Sequence, residues 1–295
     1  MTAVQRIQDQ VKTVGRKTLG TALRELPRWR KRRRQLRHPA PVERPTIGFV
    51  LGTQRSGTTM LLNVLDTSPE TEVYHEYHPA AMDSFRLRPP VVIEKLASRS
   101  AARALVLKPI TDSHRADWLL QRFPDARAIW VFRRYEDVAN SAIAMWPGEN
   151  VEFVNRVRED NLPAMDWRGE RVSEEVLSVI GELARQPLNE QEGAALFWYA
   201  RNALYFELGL ADDPRVLLVQ YEDLVEDPTR FRAIFDHLGL AWDEAFVEQV
   251  KSTSVGRRPF GPIREDVRAV CDAMMERLVE AEGRAGTPAA VQRGA

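Results

Sequence analysis

Residues 51–61 (LGTQRSGTTML) place a glycine-rich loop with one internal cation in front of an apolar stretch. Gly52 and Gly57 are separated by four residues, which is the spacing of a phosphate loop, whose backbone N–H groups hold phosphate oxygens. An ATP-binding loop would continue with Lys and then Ser or Thr, but two threonines follow Gly57, and the cation is Arg55. The loop therefore predicts a site for a phosphate-like anion. The cation of the loop, Arg55, lies two residues before Gly57 rather than directly after it.

A second cationic feature ends the apolar run at 128–134 (AIWVFRR). Arg133 and Arg134 stand where an NTPase could carry the carboxylate that holds Mg²⁺. This pattern indicates a nucleotide whose charge is neutralised by side chains alone.

The elements that must position these residues are short apolar runs that alternate with helical patterns, which predicts a parallel sheet with right-handed crossovers. The runs lie at 46–51, 71–76, 104–110, 128–134 and 216–221. The first run, the glycine loop and the helical stretch TTMLLNVLD follow one another directly, which is the context that a phosphate loop requires. Further helices are expected near 228–238, 242–250 and 262–281. We therefore predict an α/β fold with a P-loop-like parallel β-sheet flanked by helices.

Three segments lie outside the alternating pattern. Residues 1–45 hold thirteen Lys or Arg against three acidic residues, in a chain of zero formal net charge, and their apolar positions recur at helical spacing. We predict a basic amphipathic helical arm and linker there, followed by one domain over 46–282. Residues 147–190 contain three prolines and are predicted to be a partly helical insertion on the substrate side. Residues 283–295 are predicted to be a disordered tail.

These segments together resemble the sulfotransferase family, in its bacterial and Golgi-type branch. QRSGTT (54–59) is similar to the family's 5′-phosphosulfate loop, and VFRRYEDVANS (131–141) to its 3′-phosphate motif, an arginine followed eight residues later by a serine. The likeness continues in the family's order through LVLKPI, LVQYEDLVEDPTRFRAIFDHLGL and SVGRRP, from about residue 46 to 280. Gln54 and Tyr135 replace prolines that are usual in the family, so loop rigidity is expected to differ while the side-chain chemistry is kept.

The resemblance implies the co-substrate 3′-phosphoadenosine 5′-phosphosulfate (PAPS), no metal ion, and transfer of a sulfuryl group to an acceptor hydroxyl or amine. It implies that the donor is bound by Gln54, Arg55, Ser56, Gly57, Thr58, Thr59, Arg133, Ser141, Tyr221, Arg257 and Arg258. Arg55 is also predicted to meet the charge on the leaving oxygen. Arg133 is predicted at the end of a strand and Ser141 in the helix that follows. Because the chain reverses direction between the two elements, both side chains can reach one phosphate. Tyr221 would touch adenine, although packing alone is an open alternative, and Arg257 or Arg258 would close over the donor.

The general base must stand at the carboxyl edge of a strand, facing the donor. Glu76 ends the second run and is predicted to be this base, with His75 second, although Glu76 could also cap or pair at the surface. His114 is a candidate only if its loop folds back. Lys108 after the third run is equally open to a donor or acceptor contact and to a surface charge. Trp198 is predicted to be a core residue.

Two other functions remain open from the sequence. One is an ATP-dependent kinase or NTPase with a degenerate loop, and the other is a non-catalytic protein that binds polyanions through RKRRR. The expected acceptor of a sulfotransferase is a glycan, a glycolipid or a metabolite, and no nucleic-acid partner is expected. Cys271 is the single cysteine, and neither a spanning apolar run nor a signal-peptide core is found. We therefore predict a cytoplasmic protein, with peripheral contact to anionic membranes through residues 1–37.

Overall fold

The computed structural model describes residues 30–159, 167–253 and 255–285. The strands, numbered in chain order, are β1 (Thr46–Gly52), β2 (Thr71–Tyr74), β3 (Met82–Asp83), β4 (Arg86–Leu87), β5 (Ala104–Leu107), β6 (Arg127–Phe132) and β7 (Val216–Gln220). Five of them form one parallel sheet in the order β2-β5-β1-β6-β7, and β3 and β4 form a short hairpin. The predicted α/β fold with a parallel sheet is confirmed.

Helices cover both faces of the sheet. Helix α1 includes residues 30–37, and the others are α2 (Thr58–Thr67), α3 (Pro90–Arg99), α4 (Ala116–Arg122), α5 (Tyr135–Met145), α6 (Glu149–Arg158), α7 (Glu174–Leu183), α8 (Glu190–Glu207), α9 (Tyr221–Glu226), α10 (Phe231–His237) and α11 (Glu265–Ala285). Short 3₁₀ helices lie at Ile110–Arg115, Leu210–Asp212, Pro228–Arg230 and Glu244–Val247. Within the described ranges, no helix combines the length and the apolar character that crossing a membrane requires.

The alternation of side chains along β1 divides the core into two layers. Phe49 and Leu51 pack in a cluster with Trp198 of α8, whereas Val50 packs with Leu61 of α2 on the opposite face. All five side chains are fully buried. Because both faces of a parallel sheet are covered, its strands read as continuous apolar runs, and this explains why they could be predicted.

The strand order places the phosphate loop at the centre of one sheet edge. β1 lies between β5 and β6 in the sheet. The connections that leave the carboxyl ends of these three strands therefore separate from one another at this edge. In open parallel sheets, ligands bind in the crevice that forms at such a point.

Several predicted boundaries need correction. The strands in the second, third, fourth and fifth runs end at Tyr74, Leu107, Phe132 and Gln220 rather than at 76, 110, 134 and 221. Tyr221 therefore begins a helix. The helix expected at 242–250 is only a short 3₁₀ helix, Glu244–Val247, whose Phe246 ring stacks on Phe235 of α10 with ring centres 5.3 Å apart. Helix α11 continues to residue 285, so the first three residues of the expected tail are helical. The rest of the tail, 286–295, lies outside the described residues. The β3–β4 hairpin was not predicted.

Helix α1 is the part of the basic arm that the structure describes, since residues 1–29 lie outside it. Lys31 Nζ contacts the Asp66 carboxylate at 3.0 Å and Thr71 Oγ1 at 2.9 Å. Gln35 Nε2 donates to the carbonyl oxygens of Pro69 and Thr71 at 2.8 and 2.9 Å. Because Thr71 begins β2, α1 lies at the amino ends of the strands, opposite the phosphate loop.

The segment predicted as an insertion, 147–190, is partly helical, since it contains α6 and α7. Its residues 160–166 lie outside the described part of the chain. Phe153 and Ile180 are fully buried and belong to the core cluster that also includes α8. The segment is therefore packed into the domain rather than appended to it.

Candidate active site

The phosphate loop has a backbone that only glycine can adopt at two positions. Gly52 and Gly57 have φ values of +124° and +90°. A Cβ atom would lie 2.3 Å from the Val131 carbonyl oxygen at Gly52 and 2.0 Å from the Tyr221 ring at Gly57. Arg55, between them, is also in the left-handed region at φ +69°, which is uncommon for a residue with a side chain and costs backbone energy that functional sites often store.

The loop leaves donors for an anion. Helix α2 begins at Thr58, and the first N–H groups of a helix have no partner within it. Ser56 Oγ is buried and, among the described residues, has no hydrogen-bond partner. The same holds for Gln54 Oε1, whose amide can be turned to present its NH₂ group instead. These groups fit the oxygens of a phosphate or sulfate.

Arg55 connects the two residues of the predicted 3′-phosphate motif. Its Nε donates to Ser141 Oγ at 2.8 Å, and its guanidinium lies 5.9 Å from the centre of the Trp146 ring. Arg133 Nη1 donates to the carbonyl oxygen of Arg55 at 3.5 Å. The structure thus brings Arg133 and Ser141 to one place, although the contact between them runs through Arg55. Burial lowers the pKa of Arg55, and the Glu76 carboxylate acts in the opposite direction.

Arg133 is held in position by groups around it. Its side chain is buried, with Nη2 3.2 Å from Asp137 Oδ2 and Nε 3.8 Å from Glu222 Oε1. Its carbonyl oxygen accepts from Trp198 Nε1 at 2.9 Å, and Trp198 is a core residue as predicted. Burial raises the pKa of Glu222, and the Arg133 guanidinium acts in the opposite direction.

Tyr221 lies directly beneath this arginine. Its ring is 5% exposed and packs against Gly57 on one side, with the Arg133 guanidinium 4.4 Å from its centre. The ring therefore has a packing role, which was the alternative left open by the sequence. Contact with adenine stays a prediction.

The basic loop that carries Arg257 and Arg258 is tied to α5. Gly256 N donates to both carboxylate oxygens of Asp137 at 3.1 and 3.2 Å, and Asn140 Nδ2 donates to the Arg258 carbonyl oxygen at 3.2 Å. Because Asp137 also pairs with Arg133, the loop lies next to the predicted 3′-phosphate site. Arg257 and Arg258 are exposed, and their closure over a donor stays a prediction.

Lys108 joins the phosphate loop to the predicted base. It follows β5 directly and is 3% exposed, so the alternative of a surface charge is wrong. Its Nζ donates to Thr59 Oγ1 at 2.7 Å and lies 2.9 Å from Glu76 Oε2. The Glu76 side chain is 28% exposed, so its carboxylate faces the buried lysine and remains open to an incoming molecule.

The two histidine candidates have other surroundings. The buried His75 stacks on Tyr77 with ring centres 5.4 Å apart. His114 is also buried, with Nδ1 3.0 Å from the Thr111 carbonyl oxygen and Nε2 2.6 Å from Glu170. Burial, assisted by the Arg201 guanidinium, lowers the pKa of His114 to about 4. Glu76 is thus the candidate whose carboxylate is linked to the phosphate loop.

A cleft opens beside the loop on the side of the 147–190 segment. That segment supplies Trp167 and Arg168 to the cleft, α8 supplies Phe197, and Trp146 follows α5. The full lining is Thr53, Gln54, Val138, Ala142, Trp146, Glu149, Asn150, Trp167, Arg168, Ala194 and Phe197. The lining mixes aromatic and charged side chains around a volume of about 30 Å³, which is smaller than an organic molecule.

Comparison with known families identifies the class of protein. The profile described as "Sulfotransferase family" matches residues 90–244, just over half of the chain. The chain belongs to the sulfotransferase family, and it is an enzyme that transfers a sulfuryl group. This assignment sets aside the kinase and the non-catalytic polyanion binder. The matched region contains Lys108, Arg133 and Ser141, whereas the phosphate loop and Glu76 precede it.

Three solved sulfotransferase structures match the chain at low identity and low TM-score. The sulfotransferase domain from the curacin biosynthetic pathway has 15% identity and a TM-score of 0.49, covering 78% of this chain and 98% of that chain. A sulfotransferase from Alicyclobacillus acidocaldarius has 19% identity and a TM-score of 0.44, covering 82% and 96%. Mouse sulfotransferase SULT7A1, complexed with PAP, has 16% identity and a TM-score of 0.37, covering 78% and 72%. No curated protein sequence matches the chain.

Three features of the site were not found from the sequence. They are the Lys108 bridge between Thr59 and Glu76, the carboxylates that hold Arg133, and the aromatic cleft. For Lys108 a signal existed, because it directly follows a strand just as Arg133 does. In residues 30–159, 167–253 and 255–285, no three His, Cys, Asp or Glu side chains are grouped to hold a metal ion, and a metal-free reaction stays a prediction.

Proposed function

We propose that the sulfuryl donor is PAPS and that residues 54–59 hold its 5′-phosphosulfate. The left-handed turn at Arg55 and the two obligatory glycines shape the loop, and the buried Ser56 hydroxyl is available to donate to an anionic oxygen. The amino end of α2 adds its N–H groups and the positive end of the helix dipole.

Arg133 and Ser141 are proposed to bind the 3′-phosphate of the donor. Arg133 is already positioned by Asp137 and Glu222, so little ordering is needed when the phosphate binds. Ser141 Oγ accepts from Arg55, which leaves its own hydrogen for a phosphate oxygen. The exposed Arg257 and Arg258 are proposed to close over the nucleotide from the adjoining loop.

The contact of Lys108 with both Thr59 and Glu76 carries the proposal for the reaction. PAPS supplies the sulfuryl group. Glu76 accepts the proton of the acceptor hydroxyl or amine, whose oxygen or nitrogen then bonds to sulfur. As the bond from sulfur to the 5′-phosphate oxygen breaks, Lys108 and Arg55 offset the negative charge left on that oxygen.

For the acceptor, we propose a small molecule bound beside Trp146, Trp167 and Phe197, where the cavity of about 30 Å³ must widen by movement of the side chains that line it. Aromatic faces suit the apolar side of a sugar ring or of an amphipathic metabolite, and Glu149 and Arg168 offer hydrogen bonds to its polar groups. A glycan, a glycolipid or a metabolite would fit this description.

The basic arm is proposed to make peripheral contact with anionic membranes. Arg30, Arg33, Arg34 and Arg37 of α1 line an open surface groove, and each such charge near an anionic surface contributes about 1 kcal/mol. Because α1 lies at the amino ends of the strands, a membrane held there would face away from the phosphate loop. This geometry favours a soluble acceptor over a glycolipid of the same membrane. The single described cysteine, Cys271, is a buried free thiol, which agrees with the proposed cytoplasmic location.

The donor and the role of Lys108 can be tested in one assay. Transfer from ³⁵S-labelled PAPS is measured with a panel of phenolic, amine and glycoside acceptors, without added metal. We expect label transfer by the wild type and a loss of about 10² to 10³-fold for Lys108→Met, the range for removing one group that stabilises developing charge. Lys95→Met, an exposed lysine of α3, is the control and should match the wild type. Equal rates for Lys108→Met and the wild type would contradict the role of Lys108.

A further inference from the structure

One buried cation outside the phosphate loop has no hydrogen-bond partner within the described ranges. Arg201 of α8 is 1% exposed, and its Nε, Nη1 and Nη2 atoms all lack a partner. Its guanidinium lies 5.2 Å from the centre of the Trp167 ring. Burial lowers the pKa of Arg201 to about 9, so the side chain remains charged at neutral pH. Burying a charge without hydrogen bonds is costly, which makes such a group a candidate for binding a ligand of opposite charge.

Arg201 belongs to a cluster of charged and polar groups from separate elements that holds two carboxylates, Glu170 and the buried Asp112, whose Oδ1 lies 3.3 Å from Arg86 Nε. Glu170 Oε2 lies 3.0 Å from Arg86 Nη2, on β4, and 2.6 Å from His114 Nε2, on the 3₁₀ helix after β5. The Glu170 carboxylate also stabilises the charged form of Arg201. The Glu170 side chain is 43% exposed and belongs to a surface loop. Two of the residues that it approaches, His114 and Arg201, are buried.

The cluster adjoins the start of the phosphate loop. Asn202, the neighbour of Arg201, donates from Nδ2 to Thr53 Oγ1 at 3.1 Å. Ser113, the neighbour of His114, accepts from the Gly52 N–H at 3.1 Å. Trp167, which covers Arg201, also lines the cleft beside the loop. The cluster therefore lies behind Trp167, and this ring separates it from the cavity assigned to the acceptor.

We propose that Arg86, His114 and Arg201 form an anion subsite for the acceptor, which Glu170 occupies in the free chain. The inference rests on the proposed function, because it takes the aromatic cleft as the acceptor site. The acceptor is then a molecule with a carboxylate or a sulfate or phosphate ester, in addition to the hydroxyl or amine that receives the sulfuryl group. Replacing Glu170 by a carboxylate or a sulfate ester exchanges one negative charge for another, while Asp112 keeps its contact with Arg86, so the charge balance of the cluster is kept.

Inorganic sulfate is the probe for this subsite. Calorimetric titrations compare the wild type, Glu170→Ala and Glu170→Ala/Arg86→Gln, all in saturating adenosine 3′,5′-bisphosphate (PAP), which fills the phosphate loop. We expect Glu170→Ala to bind sulfate at least about 10-fold more tightly than the wild type, because the internal competitor is gone, and the second substitution to reverse this gain. Glu182→Ala, an exposed glutamate of α7, is the matched control and should behave as the wild type. Equal sulfate affinity of Glu170→Ala and the wild type would overturn the proposal.

The role of Arg201 is tested separately by Arg201→Met. If the arginine is kept for binding, its replacement should leave Tm unchanged or higher, because a buried charge without a hydrogen bond to the described residues is removed. The replacement should also abolish the sulfate gain in the Glu170→Ala background. A large fall in Tm with the sulfate gain intact would show that Arg201 is structural.

PAP affinity measured on the same variants separates the two proposals. PAP should bind all of them as it binds the wild type, because none of the four substituted residues contacts the phosphate loop side chains. If PAP fails to bind the wild type, the proposed donor is wrong. Sulfate can then also bind the empty phosphate loop, but it does so equally in all variants. The differences in sulfate affinity between the variants therefore still test the subsite. If PAP binds and Glu170→Ala shows no gain, the subsite alone is wrong.

Discussion

Replacing Glu76 by Gln removes the proposed base while keeping its shape. The carboxylate lies 2.9 Å from Lys108 Nζ, and Lys108 keeps its second contact, with Thr59, in the variant. The phosphate loop should therefore remain in place. Because the variant lacks only the proton acceptor, we expect the rate of sulfuryl transfer to fall by about 10² to 10⁴-fold.

Donor binding should respond differently from transfer. The Glu76→Gln variant has no negative charge at this position beside the site of an anionic donor, so PAP affinity should stay the same or rise. Stability should decrease by about 1 to 3 kcal/mol, because Lys108, which is 3% exposed, loses its charged partner. The assays are initial rates with ³⁵S-labelled PAPS, calorimetry with PAP, and thermal unfolding.

A matched control is available on β2, four residues before Glu76. Glu72 of β2 accepts from Tyr74 Oη at 2.6 Å and from Ser100 Oγ at 2.7 Å, away from Lys108. Glu72→Gln should cost stability without loss of transfer. Transfer by Glu76→Gln at a rate near that of the wild type would refute the assignment of the base and would direct attention to His75.

Two further predictions concern the loop and the pH dependence of stability. Gly57→Ala should abolish PAP binding and destabilise the fold, because the new Cβ would lie 2.0 Å from the Tyr221 ring. Gly209→Ala is the control, since Gly209 also has a positive φ of +67° but has open space around it. This control should lose only about 1 to 3 kcal/mol of stability from backbone strain and should bind PAP normally. The pKa of His114 is lowered from 6.5 to about 4, so the unfolded state binds more protons between these values, and stability should fall as pH drops from 6.5 to 4. His114→Gln should reduce this fall in the free energy of unfolding by about 1 to 2 kcal/mol, after allowance for solvent screening, as measured by chemical denaturation at a series of pH values. The same pH dependence in the variant and the wild type would contradict the lowered pKa of His114.

The parts of the site that sequence predicted are those set by local chain geometry. The phosphate loop depends on Gly52 and Gly57, whose positive φ values are a local requirement, and the spacing of Arg133 and Ser141 follows from one strand and the helix after it. The five strands could be predicted because continuous apolar runs are typical of a sheet buried on both faces.

The parts that sequence missed depend on which elements become neighbours. Lys108 meets Glu76 because β2 pairs with β5, although the hairpin and α3 intervene between these two strands in the chain. The Arg55–Ser141 contact likewise joins residues that are 86 positions apart. Arg201 could be read from the sequence only as one charged residue of an apolar helix, and its lack of a partner is visible only after packing of the described residues.

Discrimination of the 3′-phosphate tests the central claim most directly. Calorimetry without Mg²⁺ compares adenosine 3′,5′-bisphosphate with adenosine 5′-monophosphate on the wild type, Arg133→Ala and Ser141→Ala. Charge-assisted contacts contribute about 1.5 to 3 kcal/mol each, so Arg133→Ala should weaken the bisphosphate by roughly 10 to 100-fold and hardly change the monophosphate. The wild type should prefer the bisphosphate strongly, and both substitutions should reduce that preference. Equal wild-type affinity for the two nucleotides would contradict the proposed donor and the roles of Arg133 and Ser141.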